Sequence, residues 1–511
     1  MPLLGSLIKK AYQLKDRPVR RNRRLTSIQI QKKELRKLLN KAQFTSFGEF
    51  YDFTNILNSN NCLSDFKESV PVYDYSKMFQ EWWYRSLNGE TFVSWPGKVK
   101  YFALTSGTSS ASSKQIPVTN DMLKSIKKAS LRQLVSASRY DFPIEFFETG
   151  ILMIGGSTHL NLNGSYLEGD LSGISAGNIP FWFQHFYKPG KRISKEREWA
   201  TKLDEIVKSA PKWNIGIIVG VPAWIQIILE RIIETHHLNN IHDIWPNLNV
   251  YVHSGVAFAP YKKSFEKLFA RPIIYNESYL ASEGYVAYQN QPTDTGMKLI
   301  LDNGIFFEFV PFNDRNFDDE GNLVGNPNVL NIGQVEEGKE YALLLSTNAG
   351  AWRYMIGDTI KFVSVKDSQI KITGRTKHFL SICGEHLSLD NITRAMELTQ
   401  QDLDLEVREF TVMGVEHGTL WAHQWYLGID GEYNEEAIKE KIDEHLNRLN
   451  DDYRVERMEA IKDVYVKVIP TSVFYNYMKI KGKEGGANKF PRVLKNHMKD
   501  EWLQYLEQEG Y

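Results

Sequence analysis

Short apolar runs recur along the middle of the chain and alternate with loops and segments of helical period. Four such runs are rich in β-branched and aromatic residues, as buried strands are: VKYFAL (99–104), ILMIGG (151–156), IGIIVG (215–220) and NVYVHSG (249–255). WIQIILERII follows the third run with helical spacing, and a further helix is expected from about Asn120. This alternation predicts an α/β fold.

The two ends of the chain have different patterns. The first ~95 residues contain helical stretches such as IQIQKKELRKLLNKA, which we expect to form an N-terminal extension packed on the core. Beyond about residue 374, the strand-like runs VREFTVMGV, HQWYLGID and VYVKVIP surround one helix. Asn434 can cap that helix, and one face of it carries Ile438, Ile442, Leu446 and Leu449. The pattern predicts a large N-terminal domain (1–373) and a small, mobile α+β domain (374–511).

Composition narrows the functional classes. Lys plus Arg equals Asp plus Glu at 62 each, so no global charge favours nucleic acid or an anionic membrane. The two cysteines, Cys62 and Cys383, lack zinc or disulfide spacing. No run approaches the roughly 20 apolar residues of a membrane span, and the N-terminal run is too short for a signal peptide. We therefore expect a cytoplasmic protein that acts on small molecules.

A hydroxyl-rich segment after the first predicted strand is a candidate phosphate loop. It consists of Thr105-Ser106-Gly107-Thr108-Ser109, three more small residues, Ser113 and then Lys114. Backbone N–H groups in a tight turn, hydroxyl groups and a lysine all suit phosphate binding. No Walker sequence occurs, and a flexible Ser-rich linker is the alternative. The apolar strand before the segment favours the phosphate loop.

Two further motifs each contain a carboxylate. In Tyr279-Leu280-Ala281-Ser282-Glu283, after the strand-like RPIIY, the ring can stack on a purine, the hydroxyl can bind phosphate and the carboxylate can bind Mg²⁺. In WRYMIGD (352–358), a Gly-Asp turn is predicted to end a strand and to present Asp358 to both hydroxyls of a ribose. Each motif alone also fits an ordinary loop or turn.

Two basic motifs follow near the predicted domain boundary and the C-terminus. GRTKHFLSICGE (374–385) lies where the composition changes, and GGANKFPR (485–492) carries Lys489 after a Gly-rich approach. A mobile loop with one lysine can deliver positive charge to a reacting phosphate. Taken alone, Lys489 could equally be an ordinary surface lysine.

In this order, the motifs resemble those of the adenylate-forming superfamily of acyl-CoA synthetases, peptide-synthetase adenylation domains and luciferases. Within it, TSGTS…K, YxxSE and WRYxxGD, with FKESVPVYDY upstream and FFEFVP (306–311) between, resemble the auxin-responsive acyl-acid amido synthetase family of plants and its bacterial relatives. The resemblance covers most of the chain. It implies the adenylate-forming fold, with a large α/β domain and a small mobile domain.

The resemblance also implies the residues of the site. The implied phosphate loop consists of Thr105, Ser106, Gly107, Thr108, Ser109 and Lys114, with Ala111 where the family usually has Gly. The other implied nucleotide contacts are Gly255, Tyr279 at the adenine, Ser282 at the phosphate, Asp358 at the ribose, and Arg375.

The remaining implied roles concern catalysis and the hinge. Glu283 would hold Mg²⁺ and act in catalysis, Lys377 would serve the hinge, and Lys489 would be the catalytic lysine. Met355 stands where plant members often carry Arg, which leaves Arg353 as the nearby guanidinium.

The implied reaction is activation of a carboxylic acid by ATP and Mg²⁺ to an acyl-adenylate, followed by transfer to the amine of an amino acid. We expect the acyl pocket to include GNIPFWFQHFY (177–187) and the VPAWI segment. An acyl-CoA ligase and a non-catalytic nucleotide-binding sensor are alternatives. A serine hydrolase is a third, because 173–177 fits GxSxG, although no buried strand is predicted before it.

Overall fold

The N-terminal part of the chain is helical. A computed structural model describes residues 2–16, 25–105, 114–255, 258, 261–291, 294–318, 321–376, 380, 385, 387–417, 420–459, 461–485 and 489–511. The first helices are α1 (Pro2–Asp16), α2 (Ser27–Ala42), α3 (Ser46–Phe50), α4 (Phe53–Asn58), α5 (Cys62–Ser69), α6 (Tyr75–Met78) and α7 (Tyr84–Leu87). A π-helical turn, Phe79–Trp83, joins α6 to α7. The predicted helix in IQIQKKELRKLLNKA is confirmed as α2, which Thr26 caps by accepting a hydrogen bond from the Gln29 N–H.

Strands and helices both contribute to the rest of the described chain. The strands are β1 (Tyr101–Thr105), β2 (Lys114–Val118), β3 (Gly150–Met153), β4 (Asn161–Asn163), β5 (Tyr166–Gly169), β6 (Tyr187–Lys188), β7 (Ile215–Gly220), β8 (Val250–His253), β9 (Ile274–Ala281), β10 (Gly284–Tyr288), β11 (Met297–Leu299), β12 (Ile305–Pro311), β13 (Glu340–Thr347), β14 (Tyr354–Ser364), β15 (Gln369–Arg375), β16 (Glu409–His417), β17 (Leu420–Gly428) and β18 (Ile461–Ile469). The helices are α8 (Asn120–Ser136), α9 (Leu171–Gly177), α10 (Lys191–Ser194), α11 (Trp199–Ser209), α12 (Pro222–Thr235), α13 (Lys262–Lys267), α14 (Leu389–Leu403), α15 (Glu435–Leu449), α16 (Asp451–Glu459), α17 (Thr471–Ile480) and α18 (Asn496–Gln508).

One large mixed sheet organises the described chain up to Arg375. Its strand order is β12-β13-β14-β15-β11-β10-β9-β8-β7-β3-β6. The strands β9, β8, β7, β3 and β6 are parallel neighbours, and the pairs from β9 to β12 are antiparallel. A smaller sheet has the order β2-β1-β5-β4. Because parallel strands end at the same edge, the segments after β3, β7 and β8 meet there, which is where ligands bind in open α/β sheets.

The predicted strand IGIIVG shows why these runs lack polar alternation. β7 lies between β3 and β8, and Ile215 and Ile218 are fully buried. Helix α12 follows it and buries Ile225, Ile228 and Leu229 in the same core cluster. A strand whose two faces are both covered is apolar throughout.

The C-terminal part forms a third sheet, in the order β16-β17-β18. Its predicted helix is confirmed as α15, which Asn434 caps by accepting hydrogen bonds from the Glu436 and Ala437 N–H groups at 3.1 and 3.2 Å. Ile438, Ile442 and Leu446 are fully buried along one face. The division into 1–373 and 374–511 stays a proposal, and its boundary falls on the last two residues of β15.

Two predicted strand ends are wrong. β9 continues through Tyr279 to Ala281, so the YLASE motif spans the strand and its hairpin turn rather than following the strand. Asp358 lies inside β14, not at its end, because β14 pairs with β13 and β15 on its two sides. Gly357 has a φ of 90°, and the pairing of β14 with β13 shifts register between Met355 and Thr359, so the Gly-Asp pair lies at an irregularity within the strand.

Candidate active site

A cavity of about 1020 Å³ opens at the carboxyl edge of the parallel strands. Both the large sheet and the C-terminal elements line it. The predicted site residues that line it are Lys114, Gly255, Tyr279, Ser282, Glu283, Asp358, Arg375 and Lys489. The tertiary structure therefore brings together residues from motifs that span 376 positions of the chain, from Lys114 to Lys489.

The remaining predicted residues are outside what the structure describes. Ser106, Gly107, Thr108, Ser109 and Lys377 lie in undescribed segments, as does Ala111. The backbone of Thr105 ends β1, while its side chain is not described.

Asp358 is the centre of a polar cluster on three strands. Its Oδ1 pairs with the Nε of Arg375 at 3.0 Å, and its Oδ2 accepts a hydrogen bond from the Tyr279 hydroxyl. The first contact follows from register, because Asp358 and Arg375 are opposite each other on β14 and β15. Burial, and then the charge of Asp358, hold the pKa of Tyr279 well above its usual value. The phenol is therefore a neutral donor at physiological pH, and the cluster has the polar groups that a ribose requires.

Glu283 lies in the hairpin turn from β9 to β10 and is only 7% exposed. Burial, and then the neighbouring charge of Asp358, raise its pKa to about 7, against the opposing charges of Arg375 and Lys114. No described residue forms an ion pair with it. A buried carboxylate without a cationic partner fits a divalent cation.

That cation would take only one protein carboxylate. Among the described residues, no group of three or more His, Cys, Asp or Glu side chains is arranged to hold a metal. Mg²⁺ is commonly bound by one or two carboxylates together with substrate phosphates and water. Glu283 therefore fits the binding of a metal that arrives with a nucleotide.

Lys489 extends into the cavity from the C-terminal part, and its ammonium donates a hydrogen bond to the Gly255 carbonyl. Its side chain is exposed to the cavity, yet desolvation by the cavity walls, followed by the charge of Arg375, lowers its pKa to about 8. Asp358 opposes this change and Arg492 adds to it. The lysine that the sequence singled out thus reaches the loop after β8, two strands from β3.

A buried hydrogen-bond network around Arg492, three residues after Lys489, holds the segment that carries this lysine. Arg492 donates to Glu409 Oε2 at 2.5 Å and to the Tyr261 hydroxyl at 2.9 Å, and that hydroxyl donates to Glu409 Oε1 at 2.8 Å. Tyr261 belongs to the N-terminal part and Glu409 begins β16. The network therefore ties the segment that carries Lys489 to both parts of the chain.

Lys114 begins β2 at the cavity wall, and its ammonium lies 5.2 Å from the centre of the Tyr75 ring. Its charge acts on Glu283. The role of Lys114 as the last residue of the phosphate loop stays a prediction, because residues 106–113 of the loop lie outside the described residues.

An apolar wall occupies much of the remaining cavity. The contributing side chains from α8 and the parallel strands are Leu131, Leu134, Ile151, Met153, Ile217, Val219, Val250, Val252 and Ile274. Sequence reasoning missed these residues because both faces of the strands are apolar. A pattern with no polar alternation does not reveal which face adjoins a cavity and which adjoins a helix.

The predicted acyl-pocket segments contribute only in part. Ile179, Pro180, Phe183, Tyr187 and Val221 line the cavity. Phe181 is 88% exposed, and Trp224 of VPAWI is buried in the core around α12.

Arg353 is not the guanidinium of this site, contrary to the prediction. It is 5% exposed, pairs with Glu308 at 3.0 Å, and donates to the Lys67 and Val70 carbonyls at 2.7 and 2.6 Å. It does not line the cavity. The guanidinium beside Asp358 is Arg375, which is 22 positions from Arg353 in the chain but opposite Asp358 in the sheet.

The GxSxG pentapeptide does not form a nucleophile elbow. Ser175 lies within α9 rather than in the turn between a strand and a helix. Its hydroxyl oxygen is buried and has no hydrogen-bond partner among the described residues. The geometry required of a serine hydrolase is therefore lacking.

Solved structures with the same architecture define the class of fold. The GH3.15 acyl acid amido synthetase aligns with a TM-score of 0.74 at 17% identity over 94% of each chain. A 2-hydroxyisobutyryl-CoA ligase in the postadenylation state aligns with a TM-score of 0.59 at 12% identity, over 95% of this chain and 92% of that chain. The fold is that of the adenylate-forming enzymes, as predicted.

Three family models then match successive parts of the chain. They are the GH3 family N-terminal domain over residues 24–158, the central domain over 298–375 and the C-terminal domain over 390–498. Together they span more than half of the sequence, and the chain belongs to the GH3 family. The predicted resemblance to acyl-acid amido synthetases is confirmed.

Curated relatives match over shorter stretches. Indole-3-acetic acid-amido synthetase GH3.4 of Arabidopsis thaliana is 28% identical over 219 residues, which are 40% of this chain and 35% of the relative. Jasmonoyl-L-amino acid synthetase GH3.5 of Oryza sativa subsp. japonica is 27% identical over 175 residues, or 32% of this chain and 28% of the relative. The matched region thus spans about a third of each of these proteins. No helix in the described part of the chain is long and apolar enough to cross a membrane.

Proposed function

We propose that this chain is an acyl-acid amido synthetase. It would use ATP and Mg²⁺ to activate a carboxylic acid as an acyl-adenylate, and would then transfer the acyl group to the amine of an amino acid. The observation that carries the proposal is the meeting of Lys489, Glu283 and the Asp358 cluster in one large cavity that also has an extended apolar wall. Membership of the GH3 family supports the same reaction. A cytoplasmic location is part of the proposal, because the reaction consumes ATP.

Activation is needed because a carboxylate has no adequate leaving group for attack by an amine. The acid's oxygen would attack the α-phosphorus of ATP, and pyrophosphate would leave with the electron pair of the broken P–O bond. Asp358 and the Tyr279 hydroxyl would orient the ribose, while Arg375 holds Asp358 in place. The Lys489 ammonium would neutralise charge that develops on the phosphate oxygens.

Glu283 would hold the metal in this step. Bound Mg²⁺ supplies charge neutralisation at the phosphates. The protein's own contribution is a carboxylate kept in a dry position, where its affinity for a proton is high until a cation replaces that proton.

The apolar wall would have two roles in the second step. It would bind the body of the acid, and it would keep water away from the acyl-adenylate, which water hydrolyses. The amine would attack the acyl carbon and AMP would leave. The amide then forms without a covalent bond to the enzyme.

The direct test is pyrophosphate release by the purified chain with ATP and Mg²⁺ against a panel of carboxylic acids, with and without mixed amino acids. We expect release that depends on an acid and rises with an amino acid, together with an amide product in the mass spectrum. Lys489→Met is the matched inactive variant, and Lys208→Met, which changes an exposed lysine of α11, is the control.

Two results would favour the other functions. A thioester formed with CoA, but no amide formed with any amino acid, would identify an acyl-CoA ligase. ATP binding without pyrophosphate release across the whole panel would identify a nucleotide-binding sensor.

A further inference from the structure

Two oppositely charged side chains of the cavity have no role in the nucleotide site described above. Lys202 lies on α11, and its ammonium donates a hydrogen bond to the Gly155 carbonyl at 3.1 Å. Asp170 stands at the N-cap position of α9, but its carboxylate makes no capping hydrogen bond. Both side chains line the cavity.

The glycine pair after β3 holds these two groups close together. Lys202 contacts Gly155, and a Cβ on Gly156 would lie 2.0 Å from Oδ2 of Asp170. The Gly156 N–H donates to the Ser172 hydroxyl at 2.9 Å, which fixes the turn beside Asp170. The ammonium and the carboxylate therefore lie against consecutive residues of one turn, and only glycine at position 156 leaves room for the carboxylate.

Each charge nevertheless lacks a direct charged partner among the described residues. Lys202 and Asp170 form no ion pair with each other or with a third described side chain. Glu196 acts on Lys202 only through its field, since its carboxylate accepts from the Arg197 and Glu198 N–H groups. Lys202 is only 5% exposed and keeps two N–H donors without a described acceptor. An unpaired ammonium this deeply buried is costly unless a ligand compensates it.

The pKa shifts of Lys202 and Asp170 agree with a binding site for a charged ligand. Burial lowers the pKa of Lys202 and raises the pKa of Asp170, and each charge partly offsets the change in the other. Such perturbed pairs in a cavity are typical of functional sites. A ligand that brings a carboxylate to Lys202 and an ammonium to Asp170 would satisfy both groups, and an α-amino acid carries both of these groups on its α-carbon.

We propose that Asp170 and Lys202 form the acceptor subsite, where Lys202 binds the carboxylate of an amino acid and Asp170 binds its ammonium. This inference rests on the proposed amido synthetase function and names the residues that receive its second substrate. Asp170 then takes one proton from the ammonium, and the freed lone pair attacks the acyl carbon. The C–O bond to AMP breaks, AMP leaves with that electron pair, and the second proton of the new amide nitrogen passes to solvent.

The sheet places this subsite within reach of the nucleotide site without overlap. Met153 of β3 pairs with Val219 of β7, which pairs with Val252 of β8. Gly155 and Gly255 follow β3 and β8, so they are two strand spacings apart, roughly 10 Å. The turn at Gly155 and Gly156 and the Gly255 carbonyl that binds Lys489 thus lie on one edge of the sheet and in the same cavity.

The test separates the two half-reactions in Lys202→Met and Asp170→Asn. Pyrophosphate release dependent on acid alone should stay within about twofold of the wild type. In Lys202→Met, the KM for the best of the twenty standard amino acids should rise roughly 10- to 100-fold, as expected for loss of a charged hydrogen bond. The wild type should prefer that amino acid over its carboxamide, and Lys202→Met should lose the preference. Lys208→Met, on the same helix, is the control.

Asp170→Asn has a signature that a purely structural residue lacks. Its transfer rate should fall at pH 7 and recover as the pH approaches the pKa of the free amine, because the amine then arrives already deprotonated. Equal losses in both half-reactions, or an unchanged KM with an unchanged carboxamide preference in Lys202→Met, would overturn the subsite.

A binding measurement distinguishes failure of the subsite from failure of the proposed function. Calorimetric titration of the wild type and both variants with the twenty amino acids needs no ATP. Binding that weakens at least tenfold in both variants supports the subsite even if the wild type releases no pyrophosphate. Pyrophosphate release by a wild type whose amino acid affinity neither variant alters would keep the function and reject the subsite.

Discussion

Glu283→Gln should stabilise the protein without ligand while abolishing its proposed activity. The folded chain raises the pKa of Glu283 from 4.5 to about 7, mainly by burial. At roughly 1.4 kcal/mol per pH unit, this difference corresponds to about 3 kcal/mol. Because the folded state holds this proton more tightly than the unfolded state, the contribution favours folding at low pH and is lost as the pH rises from about 4.5 through 7. Glutamine has the same shape and never ionises, so the variant avoids that loss.

The assay is thermal unfolding of the wild type and the variant between pH 5 and 8.5. At pH 5 both side chains are neutral in the folded state and most of the loss has yet to occur, so the melting temperatures should differ little. At pH 8.5 the variant should melt several degrees higher, given roughly 2–4 °C per kcal/mol for a domain of 150–250 residues. Adding Mg²⁺ to ATP should raise the melting temperature of the wild type above its value with ATP alone, but should not do so in the variant, because only the carboxylate can bind the metal.

Two results would refute this reasoning. A difference in melting temperature that stays constant from pH 5 to 8.5 would show that the proton on Glu283 is not its source. A variant that adenylates acids at the wild-type rate would show that Glu283 does not hold the metal.

Three further predictions concern other parts of the site and its support. The pyrophosphate release rate should fall as the pH rises through about 8, where Lys489 loses its charge, and the fall should disappear in Lys489→Arg, measured from pH 6.5 to 10. Tyr261→Phe removes both hydrogen bonds of the Tyr261 hydroxyl with Glu409 and Arg492, and denaturant unfolding should show a loss of about 2 kcal/mol. Arg353→Met leaves Glu308 buried without its partner and should cost about 3–5 kcal/mol, while the KM for ATP of the folded fraction stays unchanged.

Matched variants give these predictions their controls. Lys263→Met breaks an exposed ion pair with Asp404 at the same interface as Tyr261, and should cost less than about 1 kcal/mol. A loss as large as that of Tyr261→Phe would mean that burial of the network is not what matters. A raised KM for ATP in Arg353→Met would show that Arg353 does act in the nucleotide site. A fall in the pyrophosphate release rate at alkaline pH that persists in Lys489→Arg would show that a group other than Lys489 causes it.

The sequence by itself determined the elements whose signals are local. The apolar run IGIIVG predicts a strand, and the Asn434 cap with the apolar i, i+4 spacing after it predicts a helix. The structure has both. The motifs were also recognisable, because each is a short string with a fixed order along the chain. Residue type, spacing and order therefore sufficed for the fold and the family.

The tertiary structure decided which residues share a space and what charge they carry. Asp358 was expected in a turn, but pairing on both sides of β14 keeps it within the strand and sets it opposite Arg375. The pKa of Glu283 near 7 depends on burial by segments far away in the sequence. Asp170 and Lys202 have no motif and meet only because α9 and α11 both pack on the turn after β3. Strand pairing and burial by distant segments produce the position of Asp358, the pKa of Glu283 and the proximity of Asp170 to Lys202. Neither effect can be recognised from the residues nearby in the sequence.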